Sequence, residues 1–207
     1  MSLISIIFNR ILASVFIPTV HDWFIASLAL LVYTAIALPF GFSTGFLQLQ
    51  IYATKPINYF FLILRCLLTP AITEEFVFRV FFLPHATEVV KRSHDHFFLL
   101  KKFSWVPVNS QKWILWAALS LLMFIIYHPL NAKTFYRDGY PTFVEPIFLI
   151  LATLLGLTCT ITYALTSSAW IIIFIHWLVV VLWLLIFGGM DKLDANQKLK
   201  VYRDSQR

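Results

Sequence analysis

Residues 69–82 read Thr-Pro-Ala-Ile-Thr-Glu-Glu-Phe-Val-Phe-Arg-Val-Phe-Phe, so Glu74, Glu75 and Arg79 sit in an apolar run long enough to lie inside a bilayer. An ionisable side chain at the centre of a membrane helix costs roughly 2.5 to 3.5 kcal/mol even on lenient insertion scales. Three of them within a turn and a half need partners, a task, or both. That requirement confines the chain to folds that can satisfy charges away from water.

Lipid is the expected solvent because of what surrounds this stretch. The 207 residues are 60% hydrophobic and 13% charged, about half the charge of an average soluble domain. Mean hydropathy is +0.81. The net charge of +6 comes mainly from Lys and Arg in polar connecting segments and the tail, where it suits anionic headgroups. Membrane lipids, and not nucleic acid, are therefore the expected partners. Cys66 and Cys159 each lie in an apolar run and read as small buried hydrophobes, which leaves no disulfide framework or thiolate metal site. Residues 1–20 lack the charged start and small-residue cleavage pattern of a removable signal. Asn9 and Arg10 interrupt their apolar run, which suits an interfacial helix or a distorted first span.

At about 20 apolar residues per crossing, the expected spans are 23–40, 57–83, 113–127, 143–165 and 169–187. The expected fold is all-α, a polytopic transmembrane helix bundle of about five spans plus the N-terminal interfacial helix, forming a single integral membrane domain over 1–207. Pro70 removes a backbone donor and should kink the second span just before the glutamates. A polar loop over 84–112 carries Lys91, Arg92, Lys101, Lys102 and His94-Asp95-His96, a cluster read as solvated surface and not as a metal site. Thr166, Ser167 and Ser168 should make a tight turn, and Gly188-Gly189 should end the last span before a polar, basic tail. If the spans alternate, Lys and Arg divide almost evenly between the two sides, so the positive-inside bias selects neither orientation.

Few ionisable groups then remain at membrane depth: Arg65, Glu74, Glu75, Arg79, His128 and His176. Glu75 and Arg79 are four apart, on one helix face, where an ion pair lowers the cost of holding both. Glu74 is turned about 100° away and is left for another role. Phe124 lies one turn before His128 and can cover its imidazole. A glutamate and two histidines from three spans are the groups needed to hold and deprotonate a water. Two chemistries fit them. In one, Glu74 is the base, His128 orients the water and His176 stabilises an oxyanion; in the other, the three bind zinc and the metal acidifies the water. The helical HExxH signature of many zinc proteases is absent.

At these residues the chain resembles the CAAX protease and bacteriocin-processing family of intramembrane proteases, which includes the type II prenyl-protein endopeptidases. The EExxxR motif is matched by Glu74, Glu75 and Arg79, with Pro70 on its approach, and FxxxH by Phe124 and His128. His176, approached through Ser168 and Trp170, looks like the histidine of the third motif. The resemblance covers about 57–190. It implies endoproteolysis of a membrane-anchored or prenylated substrate by a glutamate-activated water, without a metal, zinc being the minority reading. It assigns Glu74 as base, His128 as its partner, His176 to the oxyanion site, and Glu75 and Arg79 as supports. One departure stands out. The third motif commonly continues HxxxN or HxxxD, and here the fourth residue after His176 is Val180, which donates nothing. Asn131 and Trp177 are the substitutes in view. The alternative reading is a non-catalytic membrane scaffold or self-immunity protein, with these polar groups as interhelical glue.

Overall fold

The computed structural model describes residues 3–85 and 111–205. Among them every regular element is helical. Helix α1 spans Leu3–Ser14 and α2 spans Val20–Ser43; α3 begins at Pro56–Cys66 and continues through Leu67–Ile72, Thr73–Glu75 and Phe76–Phe81. Then follow α4 (Gln111–Lys133), α5 (Pro146–Thr166), α6 (Ala169–Leu185) and α7 (Gly189–Ser205). Helices α2, α4 and α5 are long and apolar enough to cross a membrane, and α1 and α6 are shorter apolar helices. Large apolar side chains such as Leu31, Leu115, Leu122 and Ile161 are exposed on their outer faces, the surface that lipid would cover. The chain is a helical membrane protein.

Local chemistry explains the element boundaries. Thr19 caps α2 by accepting from the Asp22 amide, and the Asp22 carboxylate accepts from the Thr19 amide in return, a reciprocal box that satisfies two orphan donors. Helix α5 starts with Pro146 at its first turn and stops where Ser167 turns left-handed at φ 57°. Because α5 packs against α2, α4 and α6, it is the central post of the bundle. Its buried side includes Leu155, Gly156, Cys159 and Tyr163.

Helix α3 is the irregular one. Its backbone leaves helical geometry at Thr69 (φ −144°, ψ 100°), the residue before Pro70, where the ring's Cδ disfavours the α conformation. Wide π-helical turns lie on either side of Glu74 and Glu75, over Leu67–Ile72 and Phe76–Phe81. Side chains from other helices reach the second of these. Ser120 of α4 donates to the Phe78 carbonyl, and Arg10 of α1 donates to the Phe81 carbonyl. Arg10, which breaks the apolar run of α1, thus ties α1 to the motif-bearing helix.

Three boundaries differ from the sequence expectation. Helix α4 does not stop at 127 but runs through His128 and Pro129 to Lys133, and α2 likewise passes through Pro39. The last apolar helix ends at Leu185, and the 186–187 segment instead bonds to the connecting strand-like segment, where Gln50 N donates to Ile186 O and Tyr52 N to Leu185 O. The polar tail is a helix, α7. Met190 and Leu193 of α7 fold back onto the bundle, and Asn196 donates to Thr142 Oγ1 and to the Asp138 carbonyl.

Candidate active site

Helix α3 carries two adjacent carboxylates to opposite tasks. Glu75 is fully buried, and its Oε1 accepts from Arg79 at 3.2 Å and from His176 Nδ1 at 2.6 Å. Arg79, also fully buried, donates its other terminal nitrogen to the Gly156 carbonyl of α5 at 2.9 Å. Its guanidinium carbon lies 4.3 Å from the centroid of the Phe124 ring, where the ring's negative face attracts a cation. Room for that arrangement comes from Gly156: a Cβ there would stand 2.9 Å from the Arg79 terminal nitrogen and 2.9 Å from Phe124. Four helices therefore share one charge network, with α3, α4, α5 and α6 each contributing a group.

Glu74 points elsewhere. It is buried, its Oε2 makes no hydrogen bond among the described residues, and that oxygen lies 3.9 Å from His176 Nε2. This distance is too long for a direct hydrogen bond and short enough for a water to touch both. Glu74, His128 and His176 all line one cavity of about 480 Å³. Its walls are mainly apolar, with Phe124, Phe143, Phe148 and Trp183 among them, and Arg65 also lines it.

The two histidines are held differently. His128 Nδ1 donates to the Phe124 carbonyl at 2.8 Å, which leaves Nε2 as an acceptor. Its ring meets Phe124 edge to face at 4.7 Å, with Phe143 and Phe148 at 6.1 and 5.4 Å. His176 is turned by Glu75, which receives its Nδ1 hydrogen and thereby directs Nε2 toward Glu74. Phe124 touches both rings and the arginine. It works as the shared wedge of the site.

With this geometry in view, comparison with known proteins decides the family. The profile described as type II CAAX prenyl endopeptidase, Rce1-like, matches residues 56–182, more than half of the chain. The chain belongs to that family. Membership makes it, in general terms, a protease acting in the membrane. No curated protein and no solved structure matches the chain.

All five residues singled out from the sequence fall within the matched stretch. The structure brings Glu75, Arg79 and His176 into direct contact, and Glu74, His128 and His176 onto one cavity wall. Among the described residues, no group of three or more His, Cys, Asp or Glu side chains is arranged to hold a metal ion. The cluster His94-Asp95-His96 lies outside the described residues. Sequence reasoning missed two contributors. Gly156 had a signal, since a glycine inside an apolar helix marks a close approach. Ser120, which donates to the Phe78 carbonyl of the motif-bearing helix, carried none that separates it from an ordinary helix residue.

Proposed function

We propose that the chain is a multi-pass glutamic-type intramembrane endopeptidase, in which Glu74 activates a water against a peptide bond of a membrane-anchored or prenylated substrate. The observation that supports this most is the division between the glutamates: Glu75 Oε1 is held by Arg79 and His176, and of the two it is Glu74 that lines the cavity together with both histidines. A water donating one hydrogen to Glu74 and the other to His128 Nε2 would have its lone pair directed at a carbonyl carbon in the cavity. Glu74 takes the proton as the C–O bond forms. The carbonyl oxygen becomes an oxyanion, which His176 Nε2 stabilises when that nitrogen carries a proton. Collapse breaks the C–N bond, and Glu74 returns the proton to the leaving amine.

The apolar walls suit an alkyl or prenyl chain, since burying such a chain is favourable by about 0.8 kcal/mol per CH₂. In this reading no metal takes part, and zinc held by Glu74, His128 and His176 is the minority version. The test uses purified protein in phospholipid nanodiscs and a quenched-fluorescent peptide carrying a prenylated cysteine. Cleavage should be abolished by Glu74→Ala and unaffected by a zinc chelator. Activity that survives Glu74→Ala removes Glu74 from the mechanism, and chelator-sensitive activity moves the reading to zinc. Absence of cleavage, with the biological role intact in Glu74→Ala and His128→Ala, selects the scaffold reading.

A further inference from the structure

We propose that Arg65 is the specificity residue for a free C-terminal carboxylate on the substrate, held about three residues beyond the bond that Glu74 attacks. The inference rests on the hydrolytic reading above and deepens it by naming the group that sets substrate register. A guanidinium presents a planar fork of donors that pairs with a carboxylate through two parallel bonds. On the same helix Arg79 is already committed to Glu75 and the Gly156 carbonyl. Arg65 is not: it is exposed and makes no hydrogen bond or ion pair among the described residues. It is also the one Lys or Arg among the described residues that line the cavity. Lys192 lies over the Phe46 ring at 4.8 Å and does not line it.

Direct contacts place the guanidinium. Its carbon lies 5.4 Å from the centroid of the Tyr136 ring, a cation–π contact that holds the head group while leaving its edge donors open. Tyr136 packs on Phe143, and Phe143 meets His128, with ring centroids 5.9 and 6.1 Å apart. All four residues line the cavity, so this path of rings follows its wall from the arginine to a histidine of the site. Arg65 also shares α3 with Glu74. Leu62, Arg65, Cys66 and Thr69 line the cavity ahead of the kink, at i, i+3, i+4 and i+7 of one helix face. Nine residues separate Arg65 from Glu74, about 14 Å at 1.5 Å per helical residue. Three extended residues cover about 10 Å, and the arginine's own stem closes the rest. A C-a-a-X tail has that length: three residues follow the prenylated cysteine and end in a carboxylate. Charge selects the same register, because a carboxylate held at Arg65 stays clear of Glu74 and offers it an internal bond.

The test gives the full chain, in phosphatidylcholine nanodiscs, two peptides with a prenylated cysteine and three further residues, one ending in the free acid and the other in the amide. Wild type should favour the acid by about 10- to 100-fold in kcat/KM, the worth of a charge-assisted hydrogen-bonded pair, with the difference in KM. Arg65→Gln should raise KM for the acid by the same factor and match wild type on the amide, with melting unchanged. Arg65→Lys should keep part of the preference. Equal KM for acid and amide in wild type overturns the proposal, and so does an acid preference that Arg65→Gln retains. A loss shared equally by both peptides also overturns it: that outcome assigns Arg65 to structure or, where the loss changes with added phosphatidylglycerol, to a lipid phosphate. Peptide affinities for Glu74→Gln protein with and without Arg65→Gln, read by fluorescence anisotropy, keep the two readings apart. If wild type cleaves neither peptide, acid-selective binding that Arg65→Gln abolishes leaves the carboxylate site standing and removes the protease, and unselective binding removes both.

Discussion

The two faces of α3 on either side of the Glu74–Glu75 peptide are built on opposite principles. Behind Glu75 the polar groups are tied to one another: Arg79, His176, the Gly156 carbonyl and the Phe124 ring form one buried network. In front of Glu74 the groups share a cavity and are left short of partners. Adjacent residues of identical chemistry thus receive different assignments from helical rotation alone. A buried charge tied to an arginine and a histidine is held in place, and its neighbour on the next helical position faces a cavity instead.

Exchanging carboxylate for amide on each face sharpens this contrast most. Glu74→Gln should lower the cleavage rate by about 100- to 10,000-fold, the usual worth of a general base, and leave the melting temperature near wild type. Glu75→Gln should instead lose about 3 to 5 kcal/mol of stability, because it strands the buried Arg79 without its counter-charge, and melting in detergent measures it. Equal effects on rate and melting from both variants would break the comparison. A smaller effect is expected from Gly156→Ala. Its methyl group would meet Arg79, Phe124 and Leu121 at 2.8 to 2.9 Å, so about 1 to 3 kcal/mol should be lost to overpacking, with the rate falling as the Arg79 network is displaced. Smallest is Ser120→Ala, which removes one buried bond to the Phe78 carbonyl and should cost about 0.5 to 1.5 kcal/mol in melting without altering KM. A Ser120→Ala protein as damaged as Glu75→Gln would mean that the second π-turn of α3, and not the ion pair, holds the closed face.

The placement of charged groups in apolar segments made the membrane class legible and singled out five candidate residues that the structure gathers around Glu75 and one cavity, because each such group is costly in lipid and few are present. The i,i+4 spacing of Glu75 and Arg79 also survives into the structure, since it needs nothing beyond helical periodicity. Boundaries were less legible. The spans expected to end at 40 and 127 continue to Ser43 and Lys133, with Pro39 and Pro129 inside the helices. The tail read only as polar and basic, but it is a helix whose Asn196, Met190 and Leu193 find partners on the bundle that no local pattern announces.

Composition and spacing alone determined that this chain is helical, membrane-embedded and supplied with an acid, an arginine and two histidines at depth. Local rules suffice for that, because hydropathy and the helical period act within single segments. Which glutamate is tied to Arg79 and which lines the cavity, and that His176 turns on Glu75, were decided only by packing four helices together. Those relations join residues up to 101 positions apart, and only the packed helices bring them into contact.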